Sequence, residues 1–305
     1  MIQILMMRVI VLIFQSLILQ LACRSDWHIS LLRNILCQSG FKAGPAAQYS
    51  IQEIQANASI AGISLAYLLH FDKPDSLTIH TVREFPLARY AAEYWTQHAR
   101  VAGRNTSAIY PLVMKLFLSA QDAYFNWIRL CSLEEQWGEP DIKMSLEKVP
   151  SPLYYVSREG LIEFVRPLLE VGADVNAEGG GYGNALQAAS YGGHSQVVQR
   201  LLEAGANVNA EGGYHYNSAL QAASIWGYDQ VVRQLLEAGA NVNVKGGLYG
   251  SALKAALARG HDSAVQRLLE AGADVNEGGG RNYGSALLVT SASGGQQGQQ
   301  AQTRE

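Results

Sequence analysis

A nine-residue phrase recurs four times in the second half of the chain. Its first copy, at residues 168–176, reads LLEVGADVN, and the glycines of the four copies stand at 172, 205, 239 and 272. The spacings between them are therefore 33, 34 and 33 residues. A fixed period of this length indicates a stack of small units, because a unit so short cannot bury its own apolar face. We expect the function of such a stack to lie on a surface.

A second phrase precedes each copy and indicates that every unit begins with a short helix. It places Ser or Asn two residues before a leucine, at Ser151, Asn184, Ser218, Ser251 and Ser285. Such a side chain caps a helix by accepting from the free N–H groups of the first turn. Glycines that can end this helix follow at 160, 193, 227 and 260. A second helix then carries an apolar stripe toward the neighbouring unit, as at Val197, Val198, Leu201 and Leu202.

The order of helix, tight turn, helix and Gly-Ala-Asp/Asn-Val-Asn resembles ankyrin repeats over about residues 150–293. The resemblance implies four full repeats and a fifth half-repeat, followed by a Gly/Gln-rich tail at 294–305 that we expect to be disordered. The predicted fold class is all-α, with an ankyrin-repeat solenoid preceded by an irregular helical domain. Pro167 conflicts with the pattern, because a proline within the second helix of the first repeat should kink or shorten it.

Residues 50–149 show no repeat period and are predicted to form a helical connector domain. Helices are expected at 51–68, 86–100, 109–118 and 122–130. A break at 137–140 separates this domain from the repeats. The segments 63–69 and 85–95 resemble the connector between NTPase module and repeats in fungal NACHT–ankyrin (NOD-like) proteins. That resemblance implies an intracellular sensor, although the sequence contains no Gly-x4-Gly-Lys-Ser/Thr phosphate loop to bind a nucleotide.

The apolar segment at residues 1–49 has two interpretations. The run from Val9 to Cys23 carries no charge after Arg8, which is typical of a signal peptide or membrane anchor. Its helical spacing also fits a core helix cut off from missing upstream sequence. The three cysteines, at 23, 37 and 131, indicate a reducing compartment because they form no even framework or metal spacing. We predict a cytoplasmic protein, with secretion or anchoring through residues 1–23 as the alternative.

Charge and side-chain spacing argue against several other classes of function. The net charge is −3, and lysines and arginines are scattered singly among acids, so we expect no nucleic-acid partner. His194 and His261 occupy a repeat position that Leu161 and Tyr228 fill elsewhere, which indicates a structural and not a catalytic role. The segment 179–183 lacks the lysine and the preceding strand of a phosphate cradle. We therefore predict no catalytic residue, no metal site and no cofactor.

Aromatic and cationic side chains occupy positions that the repeat scaffold leaves free, at the loop tips and at the ends of the first helices. Tyr, Trp and Arg are common binding hot spots because they combine a large area with a polar group. Tyrosines at 182, 249 and 283 have an alternative role, in which each packs on the next turn. The adjacent pair Ile225 and Trp226 has no scaffold role in the sequence pattern. The predicted partner-binding residues are Tyr191, Tyr214, His215, Tyr216, Ile225, Trp226, Tyr249 and Arg259.

These observations predict a protein–protein interaction module that binds another protein on the concave face of the repeats and performs no chemistry. One alternative is a regulatory fragment that pairs with a full-length NACHT–ankyrin relative, through its connector helices or its open repeat end. A second alternative is a secreted or membrane-tethered binder directed by residues 1–23.

Overall fold

The computed structural model describes residues 53–73, 76–85, 87–131, 149–214 and 216–275. It divides into two compact units, an N-terminal unit up to residue 147 and a repeat unit from residue 148. The predicted all-α class is confirmed: regular elements in these ranges are helical, and isolated bridges occur in the loops 178–184 and 246–250. Within these ranges we find no helix with the length and apolar character of a bilayer-spanning segment. The predictions for residues 1–49, the fifth half-repeat and the tail fall outside them.

The N-terminal unit contains the four predicted helices, with bounds shifted by at most two residues, and one helix that was not predicted. They are α1 Glu53–Leu68, α2 Ile79–Glu84, α3 Ala88–Ala102, α4 Tyr110–Leu118 and α5 Gln121–Leu130, with 3-10 turns at Leu69–Phe71 and Gly103–Ala108. The additional helix is α2, which begins at a reciprocal cap between Thr78 and Thr81. The core contains Trp95 and Trp127, both fully buried with ring centroids 5.4 Å apart.

The repeat unit consists of four described helix pairs, which we number repeats 1 to 4. They are α6 Pro152–Arg158 with α7 Ile162–Glu170, α8 Ala185–Tyr191 with α9 Ser195–Glu203, α10 Ala219–Ser224 with α11 Asp229–Glu237, and α12 Ala252–Arg259 with α13 Asp262–Glu270. First helices pack on the first helices of the adjacent repeats, and second helices pack on second helices. The result is two layers of helices, one of first helices and one of second helices, joined by the loops between repeats.

The predicted helix boundaries of the repeats are confirmed. The side chains of Ser151, Asn184, Ser218 and Ser251 each accept a hydrogen bond from the backbone N–H three residues later. The glycines after the first helices have φ between +65° and +70° at residues 160, 193, 227 and 260. This left-handed conformation ends the helix, and only glycine adopts it without steric cost.

The two histidines of the Gly-His positions join adjacent repeats. Nε2 of His194 lies 2.9 Å from the carbonyl oxygen of Arg158, and Nε2 of His261 lies 3.1 Å from that of Ile225. In each case Nε2 donates, because a carbonyl oxygen can only accept. A Cβ at Gly160 would lie 2.5 Å from the ring of His194, so the glycine also makes room for this ring. The predicted structural role of both histidines is therefore confirmed.

A ladder of asparagines connects the loops of successive repeats. Asn209 donates from Nδ2 to the carbonyl of Gly239, at 3.1 Å, and accepts at Oδ1 from the N–H of Asn241, at 2.7 Å. Asn176 and Asn243 form the same two bonds to the repeats that follow them. Each asparagine thus satisfies one acceptor and one donor of the next repeat's turn. The last residue of the recurring phrase therefore fixes the distance between loops.

The expected shortening of the second helix at Pro167 does not occur. Helix α7 has nine residues, the same length as α9, α11 and α13. Pro167 lacks an N–H and leaves the carbonyl of Glu163 without its helical donor, but this is one bond in the first turn. Phe164, Val165 and Leu168 are buried on the same helix. Packing of this stripe maintains the helix, since most helical stability in proteins comes from tertiary contacts.

We expect Asn209→Ala to lower the free energy of unfolding by about 1–2 kcal/mol, because it removes two hydrogen bonds between the loop after repeat 2 and the loop after repeat 3. Urea unfolding followed by circular dichroism measures this change. Gln196→Ala is the matched control, since Gln196 is exposed on α9 and the substitution leaves the ladder intact. Equal stability of the two variants would contradict a stabilising role for the ladder.

Candidate functional site

Four aromatic rings form a continuous cluster across repeats 2 and 3. The rings of Tyr182 and Tyr191 stack with centroids 4.1 Å apart, and Tyr216 stacks 5.9 Å from Tyr191. The ring of Trp226 meets that of Tyr191 edge-on at 5.8 Å. The separations from Tyr191 to Tyr216 and Trp226 lie within the range preferred by aromatic pairs, and the Tyr182–Tyr191 stack is closer still. We call this cluster, together with the two arginines described next, the aromatic surface.

An arginine lies over a ring at each end of the cluster. The guanidinium of Arg158 in repeat 1 is 5.7 Å from the ring centroid of Tyr182, and that of Arg259 in repeat 4 is 5.3 Å from that of Trp226. Both distances fit cation–π contacts. The side chain of Arg158 is 16% exposed and lies 3.7 Å from Glu159, whereas Arg259 is exposed. The aromatic surface therefore spans all four described repeats and presents a positive group at one end.

Two kinds of local structure place these rings together. Tyr191 is the last residue of α8, and Trp226 follows Ile225, the C-cap of α10, so both lie where a first helix ends. Tyr182 and Tyr216 come from the loops between repeats. The loop around Tyr182 turns at Gly180 and Gly183, where φ is +76° and +104°. Gly213 of the next loop approaches this loop closely, because a Cβ at Gly213 would lie 2.6 Å from the carbonyl oxygen of Tyr182. Glycines in these loops thus permit the stacking.

Burial changes the acidity of two tyrosines in the cluster. It raises the pKa of Tyr216 to about 12, with smaller contributions from Tyr191 and Tyr249, while Arg259 opposes the shift. Burial raises the pKa of Tyr182 well above its ordinary value, and a hydrogen bond to Tyr191 adds to this effect. Both hydroxyls therefore remain protonated at neutral pH and act as neutral hydrogen-bonding groups.

A comparison with known protein families identifies this unit. A family model for ankyrin repeats matches three overlapping copies, at residues 130–212, 153–246 and 188–279. The repeat unit is an ankyrin-repeat array. The predicted solenoid is thereby confirmed, and the ankyrin family is generally non-catalytic.

One similar relative is the azaphilone pigments biosynthesis cluster protein L of Monascus ruber. It is 40% identical to this chain over 163 residues, which make up 50% of this chain and 34% of the relative. The chain thus spans about a third of the length of this relative. Neither match gives evidence of a NACHT association, so the resemblance of residues 50–149 to a NACHT connector stays a prediction.

The ankyrin scaffold brings together four of the eight predicted binding residues and places the others differently. Tyr191, Tyr216, Trp226 and Arg259 belong to the aromatic surface. Tyr249 is half-buried and close enough to Tyr216 to raise its pKa. Tyr214 is 88% exposed on a loop and has no ring contact with the cluster among the described residues. His215 lies outside the described residues.

Ile225 is a correction, because this side chain is fully buried and is not part of an exposed apolar pair. Its repeat position is occupied by Arg158, Tyr191 and Ala258 in the other ankyrin repeats, and none of these is exposed. The next residue, Trp226, is 39% exposed.

Sequence reasoning did not assign Arg158 to the site. The repeat spacing could have indicated this role, because Arg158 stands 33 residues before Tyr191 at the same repeat position.

Tyr182 had two open interpretations, and the structure combines them. The residue is 9% exposed and packed, and its ring also stacks on Tyr191 within the aromatic surface. Among the described residues, no group of three or more His, Cys, Asp or Glu side chains is arranged to hold a metal ion.

We expect the repeat array to lose stability as the pH rises from about 10 to about 12. An unfolded tyrosine ionises near pH 10, whereas folded Tyr216 keeps its proton up to about pH 12. Unfolding therefore releases a proton in this window, and the free energy of unfolding falls with increasing pH. Below pH 10 both states keep the proton, so the free energy of unfolding does not change with pH through this group.

Urea unfolding at about pH 9 and about pH 11 tests this linkage. Tyr216→Phe should lose less stability between the two pH values than the unmodified protein. Tyr214→Phe is the matched control, since it removes a tyrosine that is 88% exposed. The linkage is refuted if both variants show the same pH dependence.

Proposed function

We propose that the ankyrin repeats bind another protein through the aromatic surface and perform no chemistry of their own. The observation that carries this proposal is Trp226, which is 39% exposed although it contacts both Tyr191 and Arg259. A large side chain already held by its neighbours loses little conformational entropy when a partner covers it. Tryptophan and arginine are also the residue types most enriched among binding hot spots.

The extent of the aromatic surface favours a protein over a small molecule as the partner. Its residues come from four successive repeats, and ankyrin repeats generally mediate protein–protein interaction. A small-molecule site is typically concave and encloses most of its ligand. The net charge of −3 argues against a nucleic-acid partner. The relative's name associates it with a pigment biosynthesis cluster, so proteins encoded beside this chain are the first partners to test.

Pairing with a full-length NACHT–ankyrin relative through the N-terminal unit is a second candidate. Tyr94 and Val101 lie two helical turns apart on α3 and are 39% and 46% exposed, which supports a docking face there. A cytoplasmic location fits both candidates, and a secreted or anchored protein directed by residues 1–23 is the alternative. Co-purification of the chain with such a relative, lost in Tyr94→Ala/Val101→Ala, would favour pairing over the aromatic surface.

We expect Trp226→Ala to weaken partner binding by about 2 kcal/mol or more, or about 30-fold in affinity. The full chain is used as bait in a pull-down from the source cell extract, and proteins recovered by the wild type and the variant are compared by mass spectrometry. Affinity for the recovered partner is then measured directly. Circular dichroism of the variant should be unchanged, because Trp226 follows α10 and is partly exposed.

Leu269→Ala provides the matched control. Leu269 is 43% exposed and lies on the second helix of repeat 4, away from the first-helix ends. A partner retained by Leu269→Ala and lost by Trp226→Ala supports the aromatic surface. Equal recovery by wild type and both variants would reject it, and a loss of helicity in Trp226→Ala would identify Trp226 as a core residue.

A further inference from the structure

A polar groove lies between two successive loops of the ankyrin array, the loop at 176–184 and the loop at 207–214. It encloses about 930 Å³ and is lined by glycines, asparagines, Gln187, two glutamates and Tyr214. We call it the loop groove. None of its lining residues belongs to the aromatic surface, so the two sites can be tested separately.

The charge of the loop groove is negative. Glu178 and Glu211 line it from equivalent positions, 33 residues apart, and both are exposed. Neither forms an ion pair with another described residue, although Glu211 accepts a hydrogen bond from Nδ2 of Asn217 at 2.9 Å. No lysine, arginine or histidine stands among the described residues that line the groove. Two carboxylates therefore line the groove without a compensating cation among its described lining residues.

The groove also contains an unsatisfied acceptor. Gln187 is 1% exposed, and its Nε2 donates to the carbonyls of Ala210 and Gly212 in the facing loop. Its Oε1 has no hydrogen-bond partner among the described residues. In repeat 3 the equivalent Gln221 accepts from the N–H of Asn217 at 3.0 Å. The position equivalent to Asn217 in repeat 2 is Gly183, whose N–H bonds instead to the carbonyl of Gly180. A buried acceptor without a donor favours a ligand that supplies one.

The next pair of loops along the array carries a different charge at these positions. Glu211 and Lys245 occupy the positions there that Glu178 and Glu211 occupy in the loop groove. One acidic and one basic residue give no net charge at this pair. The paired carboxylates are therefore a property of the loop groove and not a general feature of these repeats.

We propose that the loop groove binds a basic, extended segment of a partner protein, with arginine or lysine side chains against Glu178 and Glu211. Adjacent packed helices lie about 8–10 Å apart, which sets the spacing of equivalent loop residues. In a polyproline II segment, residues three apart lie on one side and are separated by about 9 Å. Tyr214, 88% exposed at the groove, offers a ring for a proline or a guanidinium.

Binding of a labelled peptide to the full chain tests this proposal. The probe is a short peptide with arginine at every third position and proline and serine between, and fluorescence anisotropy reports its affinity. We expect Glu178→Gln/Glu211→Gln to weaken binding by about tenfold or more, because charge-assisted hydrogen bonds to the guanidinium groups are lost. Glutamine at 211 keeps the acceptor for Asn217, so the loop keeps its bond.

The matched control is Glu203→Gln/Glu237→Gln, which removes two exposed carboxylates from the second helices. This control should bind the peptide like the wild type. Glu211→Lys, which reproduces the lysine found at 245, should abolish binding. Trp226→Ala should not change the affinity for the peptide, so this test is independent of whether the aromatic surface binds a partner. The proposal is overturned if the wild type fails to bind the peptide, or if the control loses as much affinity as the groove variant.

Discussion

The whole repeat unit depends on burial between neighbouring repeats. Each helix pair is too small to enclose a core, so residues such as Leu186, Leu201 and Leu220 become buried only when the next repeat covers them. Burial alone fixes the helices but not the loops, which are more exposed around the asparagines. The asparagine ladder supplies that second constraint, because each asparagine bonds to both a donor and an acceptor of the following turn. Loops held in this way project at regular intervals and can carry binding residues in a fixed order.

At the end of each first helix, one repeat position is packed within the scaffold and the next position is available for binding. Residues 158, 191, 225 and 258 are buried or half-buried, and residue types as different as Arg and Ile are accommodated there. The following position holds Glu159, Gly192, Trp226 or Arg259, of which Trp226 and Arg259 are exposed. The four repeats hold very different residues at this position, so the scaffold does not require a tryptophan there and its presence needs another explanation. Binding supplies one, since exposed apolar area that is already held in place favours association.

Structural features that depend on local chemistry could be predicted from the sequence, whereas the placement of side chains that depends on packing could not. Helix caps, glycine turns and helix bounds follow from short-range bonding, and they agree with the structure. Ile225 was misplaced because α10 has only six residues, too few for a periodic pattern to distinguish inward from outward positions. Helix α2 was missed because Thr81, and not Glu or Gln, completes its cap. The stacking of Tyr182 on Tyr191 depends on loop conformations at Gly180 and Gly183, which no local pattern specifies.

The two candidate surfaces differ in charge, and this difference constrains any partner that uses both. The aromatic surface carries Arg259 at its exposed end, whereas the loop groove carries Glu178 and Glu211. A partner that covers both must present an apolar or acidic group to the first and a basic segment to the second. Such a charge arrangement disfavours the reversed orientation, because like charges would then meet. The repeat scaffold places the surfaces on separate residues, so their exposed side chains, such as Trp226 and Glu178, can change independently of each other.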